Sequence, residues 1–182
     1  MRLDELLRFT GRFFEEKGVA YYVFGATAMN FWIPPRSTAD LDAVLCIDKA
    51  RARKLAGELR AAKFRITSTL ERLLLEGRLI KIPLGESELD LKLGTSPHER
   101  EALARAKVFA AEDFRLRIAV PEDLVLFKLQ SWRRQDQADI ERLVGSRKDL
   151  DARYIEAWLD RIEEHTGQPV GARWKDIREE PA

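Results

Sequence analysis

Asp40 and Asp42 stand two residues apart at the start of a β-prone run, Asp-Leu-Asp-Ala-Val-Leu. Side chains two apart on a strand share a face, so these carboxylates would project together with their Cα atoms ~6.5–7 Å apart. Carboxylates held side by side repel each other unless a cation lies between them. Hard oxygen donors select Mg²⁺ or Mn²⁺ over zinc. Upstream, the short run at residues 20–24 ends at Gly25, and the small residues Ala26, Thr27 and Ala28 then open a helix. A strand-to-helix turn of this kind presents backbone N–H groups to an anion such as phosphate. Arg36, on the connection between the two features, adds a fixed positive charge. The combination suits chemistry on a metal-bound polyphosphate.

The surrounding pattern supplies the elements that would hold these groups. Residues 3–17 carry Leu3, Leu6, Leu7, Phe13 and Phe14 near one helical face, and Gly18 stops the helix. Residues 20–24 read as a strand, and Pro34-Pro35 must break the helix that follows Gly25. Residues 41–47 read as a second strand. Residues 48–63 read as a helix with Arg51, Arg53, Lys54, Arg60 and Lys63 outside. Residues 66–76 fit helix or strand. Residues 78–84 and 87–93 read as a hairpin around Gly85. Residues 97–106 favour helix, and 114–120 a strand. Pro121-Glu-Asp suits a helix N-terminus, with helices continuing to about residue 165. The tail after Gly167 is weakly patterned, although Trp174 implies packing. The expected fold class is α/β (α+β): a mixed sheet flanked by helices, with a C-terminal helical extension. The expected division is a core at 1–120 and a helical part at 121–182, packed on the core.

Composition narrows the function classes. The chain has 182 residues, 45% hydrophobic and 35% charged, which allows a real core beneath a densely ionic surface. Its 32 basic and 31 acidic residues give a net charge of +1, which excludes a uniformly basic surface that binds polyanions by charge alone. Cys46 is the only cysteine, so no internal disulfide and no Cys-based zinc site can form. His98 and His165 are far apart in sequence. Acids in the first residues do not fit a signal peptide, and no apolar run reaches the ~18–20 residues a membrane span needs. The expectation is a cytoplasmic protein.

Residues 24–45 resemble the signature of the DNA polymerase β-like nucleotidyltransferases: a hydrophobic strand, Gly and a small residue, a spacer, then Asp-hydrophobic-Asp-hydrophobic. Gly25, Ala28, Arg36, Thr38, Asp40 and Asp42 resemble the minimal bacterial branch, which includes toxin components of some abortive-infection toxin–antitoxin pairs. Ala26 departs from the pattern, which usually has Gly or Ser there. It keeps the backbone N–H and loses a phosphate-binding hydroxyl, for which Thr27 is the substitute candidate. The resemblance implies a third carboxylate on a neighbouring strand. Asp90, between Leu89 and Leu91, is the candidate, with Glu88 on the same face as the alternative. A solvated edge strand is the bland reading of that run. Residues 120–140 also resemble this branch, with Lys128, Arg133, Asp136, Asp139 and Ile140 on its pattern. Lys128 would then reach a nucleotide phosphate. Asp136 and Asp139 would share a helix face, either in the site or in an ion pair with Arg133 or Arg36.

The resemblance implies transfer of a nucleoside monophosphate from a nucleoside triphosphate to an acceptor hydroxyl on RNA, protein or a small molecule, with an antitoxin as a further partner. Asp40, Asp42 and Asp90 would hold Mg²⁺ or Mn²⁺. Gly25 and Ala26, with Arg36 and Lys128, would hold the phosphates. Phosphatases of the haloacid dehalogenase type place their Asp-x-Asp at the end of a strand, whereas here the pair begins one. A nucleotide-sugar glycosyltransferase would leave the Gly25 turn without a role. The main rival is a catalytically inactive nucleotide- or protein-binding module of the same fold. A nucleic-acid adaptor using the basic helix at 48–63 is another, and a solvated helix face accounts for those residues as well.

Overall fold

The structure, a computed structural model, describes residues 1–179. The last three residues of the helical part expected at 121–182 lie outside the described residues. The chain divides into two compact units, one of residues 1–27 and 36–119, the other of residues 28–35 and 120–182. The short segment 28–35 thus belongs with the C-terminal helices, although the sequence pattern groups it with the strands around it.

In the first unit, helix α1 (Leu3–Glu16) starts with Asp4 and Glu5 at its positive end, and Glu5 caps the Arg2 N–H at 2.8 Å. Leu6 and Phe14 on its inner stripe are fully buried. Strand β1 (Tyr21–Phe24) leads into the five-residue helix α2 (Gly25–Met29), whose first three residues belong to this unit. Strand β2 (Asp40–Leu45) follows, then α3 (Lys49–Ala61), capped by the Asp48 side chain on Arg51 N–H. The ambiguous stretch resolves as helix α4 (Ser68–Leu75), because the Thr67 hydroxyl caps Leu70 N–H and starts it. Strands β3 (Ile80–Leu84) and β4 (Ser87–Leu93) form the hairpin, α5 (Pro97–Arg105) is closed by a Ser96–Glu99 capping box, and β5 (Lys107–Ala110) pairs with β6 (Arg115–Ile118). The pattern gives no sign of β5, a four-residue edge strand without a clear buried alternation.

The sheet has the order β3-β4-β2-β1-β6-β5, with β2–β4 and β1–β6 parallel and the other pairs antiparallel. This is the expected mixed sheet. Along β2, β4 and β3, alternate residues sort into two sets. Leu41, Ala43, Leu45, Leu89, Leu91, Leu93, Ile80 and Ile82 are buried, and helices α1 and α4 pack against these strands. The other set carries Asp40, Asp42, Glu88, Asp90, Lys92 and Lys81, so the charged groups collect on one face by strand periodicity alone. On the basic side of α3, Arg51 pairs with Glu58 at 3.0 Å, and Arg53 and Arg60 share Glu71.

The second unit contains α6 (Pro121–Ser131), α7 (Arg134–Ser146), α8 (Ala152–Thr166) and α9 (Val170–Glu179). Helix α6 is contacted by each of the other three, which is why it is buried almost all round. The tail forms α9, and Trp174 is 5% exposed within it.

Candidate active site

Gly25 follows β1 directly and opens α2 with φ of 71°, a left-handed conformation that costs any L side chain about 1–2 kcal/mol. Space demands glycine as well. A Cβ at this position would lie 2.2 Å from Oδ2 of Asp42 and 2.8 Å from its Cγ. The Asp42 carboxylate is therefore seated against the bare backbone of the turn. The antiparallel register of Phe24 with Asp42 puts it there. Replacing Gly25 by Ala should lower the denaturant midpoint and displace the carboxylate. Gly57→Ala is the control, since an added Cβ there meets nothing within 4 Å. Equal midpoints for Gly25→Ala and wild type would show that the turn does not constrain Asp42.

Asp40 and Asp42 lie on β2, and by alternation they share a face. Asp40 is exposed and Asp42 half-buried. The Thr27 hydroxyl donates to the Asp40 carbonyl at 2.6 Å, tying the start of α2 to the start of β2. Thr27 is 2% exposed and its hydroxyl is committed to this bond, so it does not replace the phosphate-binding hydroxyl lost at Ala26. Arg36 is half-buried, and its guanidinium donates to the Ser37 carbonyl at 3.3 Å.

Asp90 faces Asp42 across the parallel β2–β4 pair, and Glu88 faces Asp40. Neighbouring strands are ~4.8 Å apart, so the Cα atoms of Asp40, Asp42 and Asp90 form a triangle small enough for their carboxylates to serve one cleft. Strand β4 is internal, with β3 outside it, and Asp90 is 3% exposed; the solvated-edge reading does not hold. Burial pushes the Asp90 carboxyl above the usual carboxylate range, the Lys81 ammonium opposes this, and the charges of Glu88 and Asp40 add to it. One Asp90 oxygen, Oδ2, lies 2.9 Å from Lys81 Nζ. The other, Oδ1, is buried with no hydrogen-bond partner in the protein.

Sequence reasoning missed Lys81. It stands opposite Asp90 in the hairpin, and its ammonium also pairs with Glu88. The hydrogen bonds to Glu88 and then Asp90 raise its pKa above the usual lysine value. The signal was present: a turn of two residues pairs Leu84 with Ser87, and counting back from it brings Lys81 to Asp90.

A divalent cation fits the donor chemistry of this face. All its candidate ligands are carboxylate oxygens, one of them an orphaned buried oxygen, and the Asp42 carboxylate is packed against the bare Gly25 backbone. Among the described residues no three Asp, Glu, His or Cys side chains already converge as a ready-made ion cage.

Lys128, expected at a phosphate, is 6% exposed in the second unit. Its ammonium donates to Asp136 at 3.1 Å and Asp139 at 2.7 Å. Asp136 also accepts from Ser131 and from Arg133, both at 2.8 Å. Of the two sequence readings of Asp136 and Asp139, the ion pair with Arg133 is thus present at Asp136. Lys128 joins it, and Arg142 approaches Asp139 at 3.6 Å.

No protein-family model and no curated protein matches the sequence. Solved structures do match in three dimensions. A nucleotidyltransferase-like antigenic protein from Paracoccidioides brasiliensis has a TM-score of 0.56 at 16% identity, covering 91% of this chain and 89% of its own. The lincosamide antibiotic adenylyltransferase LnuA, bound to lincomycin, has a TM-score of 0.54 at 13% identity, covering 79% of this chain and 98% of its own. At such identities the likeness establishes the fold, and the fold is that of nucleotidyltransferases.

Proposed function

We propose that this chain is a metal-dependent nucleotidyltransferase that moves a nucleoside monophosphate from a nucleoside triphosphate to an acceptor hydroxyl. The observation that carries the reading is the seating of Asp42 against the Gly25 turn, with Asp40 and Asp90 on the same sheet face. A fold alone implies no activity; here the carboxylates and the turn supply complementary parts of one task. Asp40 and Asp42 would hold Mg²⁺ or Mn²⁺, with Asp90 as the third ligand. When bound, the cation lowers the pKa of an attacking hydroxyl and offsets charge on the phosphates. The backbone N–H groups of Gly25 and Ala26 donate to phosphate oxygens, and Arg36 balances the negative charge on departing pyrophosphate. Lys128 has no part in this mechanism, since two carboxylates hold its ammonium.

The balanced net charge favours a small-molecule or protein acceptor over RNA. LnuA, whose acceptor is a lincosamide, is in keeping with the first. A place in a toxin–antitoxin pair rests on the motif resemblance alone. Among the described residues no helix is long and apolar enough to cross a membrane.

The test is transfer of label from α-labelled triphosphates, with Mg²⁺ or Mn²⁺, to small hydroxyl compounds, whole-cell protein and total RNA. Wild type should label one of the three. Asp90→Asn should keep nucleotide binding and lose transfer by on the order of 10²–10³-fold, the scale for removing one electrostatic contact to the transition state. Binding of triphosphate without transfer to any acceptor would favour the inactive-module reading.

A further inference from the structure

Lys81 is the hairpin cation that pairs with Asp90 and Glu88, and the reaction scheme does not use it; Lys92, on the same face of β4, pairs with Glu99 instead. It sits on the edge strand β3, directly opposite Asp90. Its side chain is 57% exposed, whereas that of Asp90 is 4% exposed. The contact is thus anchored in the protein interior at the carboxylate end and reached from outside by a long, flexible stem. The ammonium binds Asp90 Oδ2 at 2.9 Å and also Glu88, so one positive charge serves two adjacent carboxylates. Asp90 Oδ1 has no partner, although it is buried. A carboxylate with one oxygen fixed and the other unused is held in a single orientation. Metal-ligating carboxylates are commonly held this way, by a hydrogen bond to the oxygen that does not face the ion.

We propose that Lys81 is a positioning residue for the cation site: it pins Asp90 through Oδ2 and leaves Oδ1 to the divalent metal, and it keeps Glu88 from competing for that place. This rests on the nucleotidyltransferase reading of the site. Without the ammonium, Asp90 would be buried with neither oxygen partnered and free to turn, and Glu88 would be released. Both changes weaken a hard-cation site.

The experiment measures Mn²⁺ affinity of the full chain, without nucleotide, by calorimetry and by electron paramagnetic resonance of free Mn²⁺. Lys81→Met should weaken binding by about 10–100-fold, the range for losing an outer partner of a metal ligand. Lys81→Arg, which keeps charge and donors, should recover most of it. In an Asp90→Asn background, the effect of Lys81→Met should shrink to what the release of Glu88 contributes, because the lysine acts mainly through Asp90. Thermal melts of the four metal-free proteins should show the same non-additivity, a readout independent of the metal. Affinity for Lys81→Met equal to or tighter than wild type would overturn the proposal, as it would mark the ammonium as a bystander or a competitor. So would an undiminished effect of Lys81→Met in the Asp90→Asn background. Absence of Mn²⁺ binding by wild type would bring down the metal reading together with this one. That failure is recognisable, because Asp40 and Asp42 variants would then change nothing either.

Discussion

Asp42→Asn should abolish Mg²⁺-dependent binding of nucleoside triphosphate and reduce nucleotidyl transfer below detection. An amide has the shape of the carboxylate and can keep the close seat against Gly25, so the fold should survive. What it lacks is the negative charge and the second anionic oxygen that a hard cation requires. Asp42 faces both the Gly25 turn and Asp90, so no other carboxylate stands in an equivalent place. Asp40, exposed at the beginning of the strand, cannot take over from two residues away. Calorimetry with Mg²⁺ and with chelator decides the matter. Wild type should bind far more tightly with Mg²⁺, and Asp42→Asn should bind equally weakly in both. Equal wild-type affinity in the two conditions would favour a metal-independent binding module.

Lys128→Met should destabilise the protein by about 3–5 kcal/mol, the cost of breaking a buried ion pair and leaving its partner charges behind. Asp139 is fully buried and Asp136 nearly so, and the Lys128 ammonium touches both. Burial alone would push the Asp136 carboxyl up, but Arg133, Ser131 and Lys128 outweigh it and hold the pKa at about 2. A carboxyl whose folded pKa is depressed stabilises the protein above its unfolded pKa of ~3.9 and loses that contribution as pH falls toward the folded value. The wild-type protein should therefore weaken between about pH 4 and pH 2. Denaturant melts at neutral pH and through that window test both statements. A Lys128→Met midpoint close to wild type would mean that the two carboxylates find other partners. Retention of nucleotide binding at low temperature by the same variant would separate this structural role from a phosphate contact.

Much of this protein was legible from local pattern. The strand–turn–helix at Gly25 and the strand beginning at Asp40 follow from short-range rules, because a strand's alternation and a glycine's freedom act within a few residues. Asp90 was legible through the resemblance, which asked for a third carboxylate and left Asp90 and Glu88 as candidates on one face of a leucine-rich alternation. The sequence left residues 66–76 open, and one hydroxyl cap at Thr67 decided for helix. It gave no hint of β5, whose pairing with β6 depends on the sheet edge that the rest of the chain provides.

Tertiary structure alone decided which charges meet. Sequence spacing set Asp40 beside Asp42, but only the parallel pairing of β2 with β4 brought Asp90 opposite Asp42, across a long crossover whose register no local rule fixes. The same holds for three contacts that local pattern did not show. The Thr27 hydroxyl binds the Asp40 carbonyl, Lys128 lies between Asp136 and Asp139, and Lys81 reaches Asp90. In each contact at least one member is buried, and burial chooses its partner. Removing a charge or hydroxyl from water is costly unless it is paired, so the nearest complementary group in the folded chain claims it. The residue types that could do the chemistry were set by sequence. Which of them remain available for it was set by the packing that partnered the others.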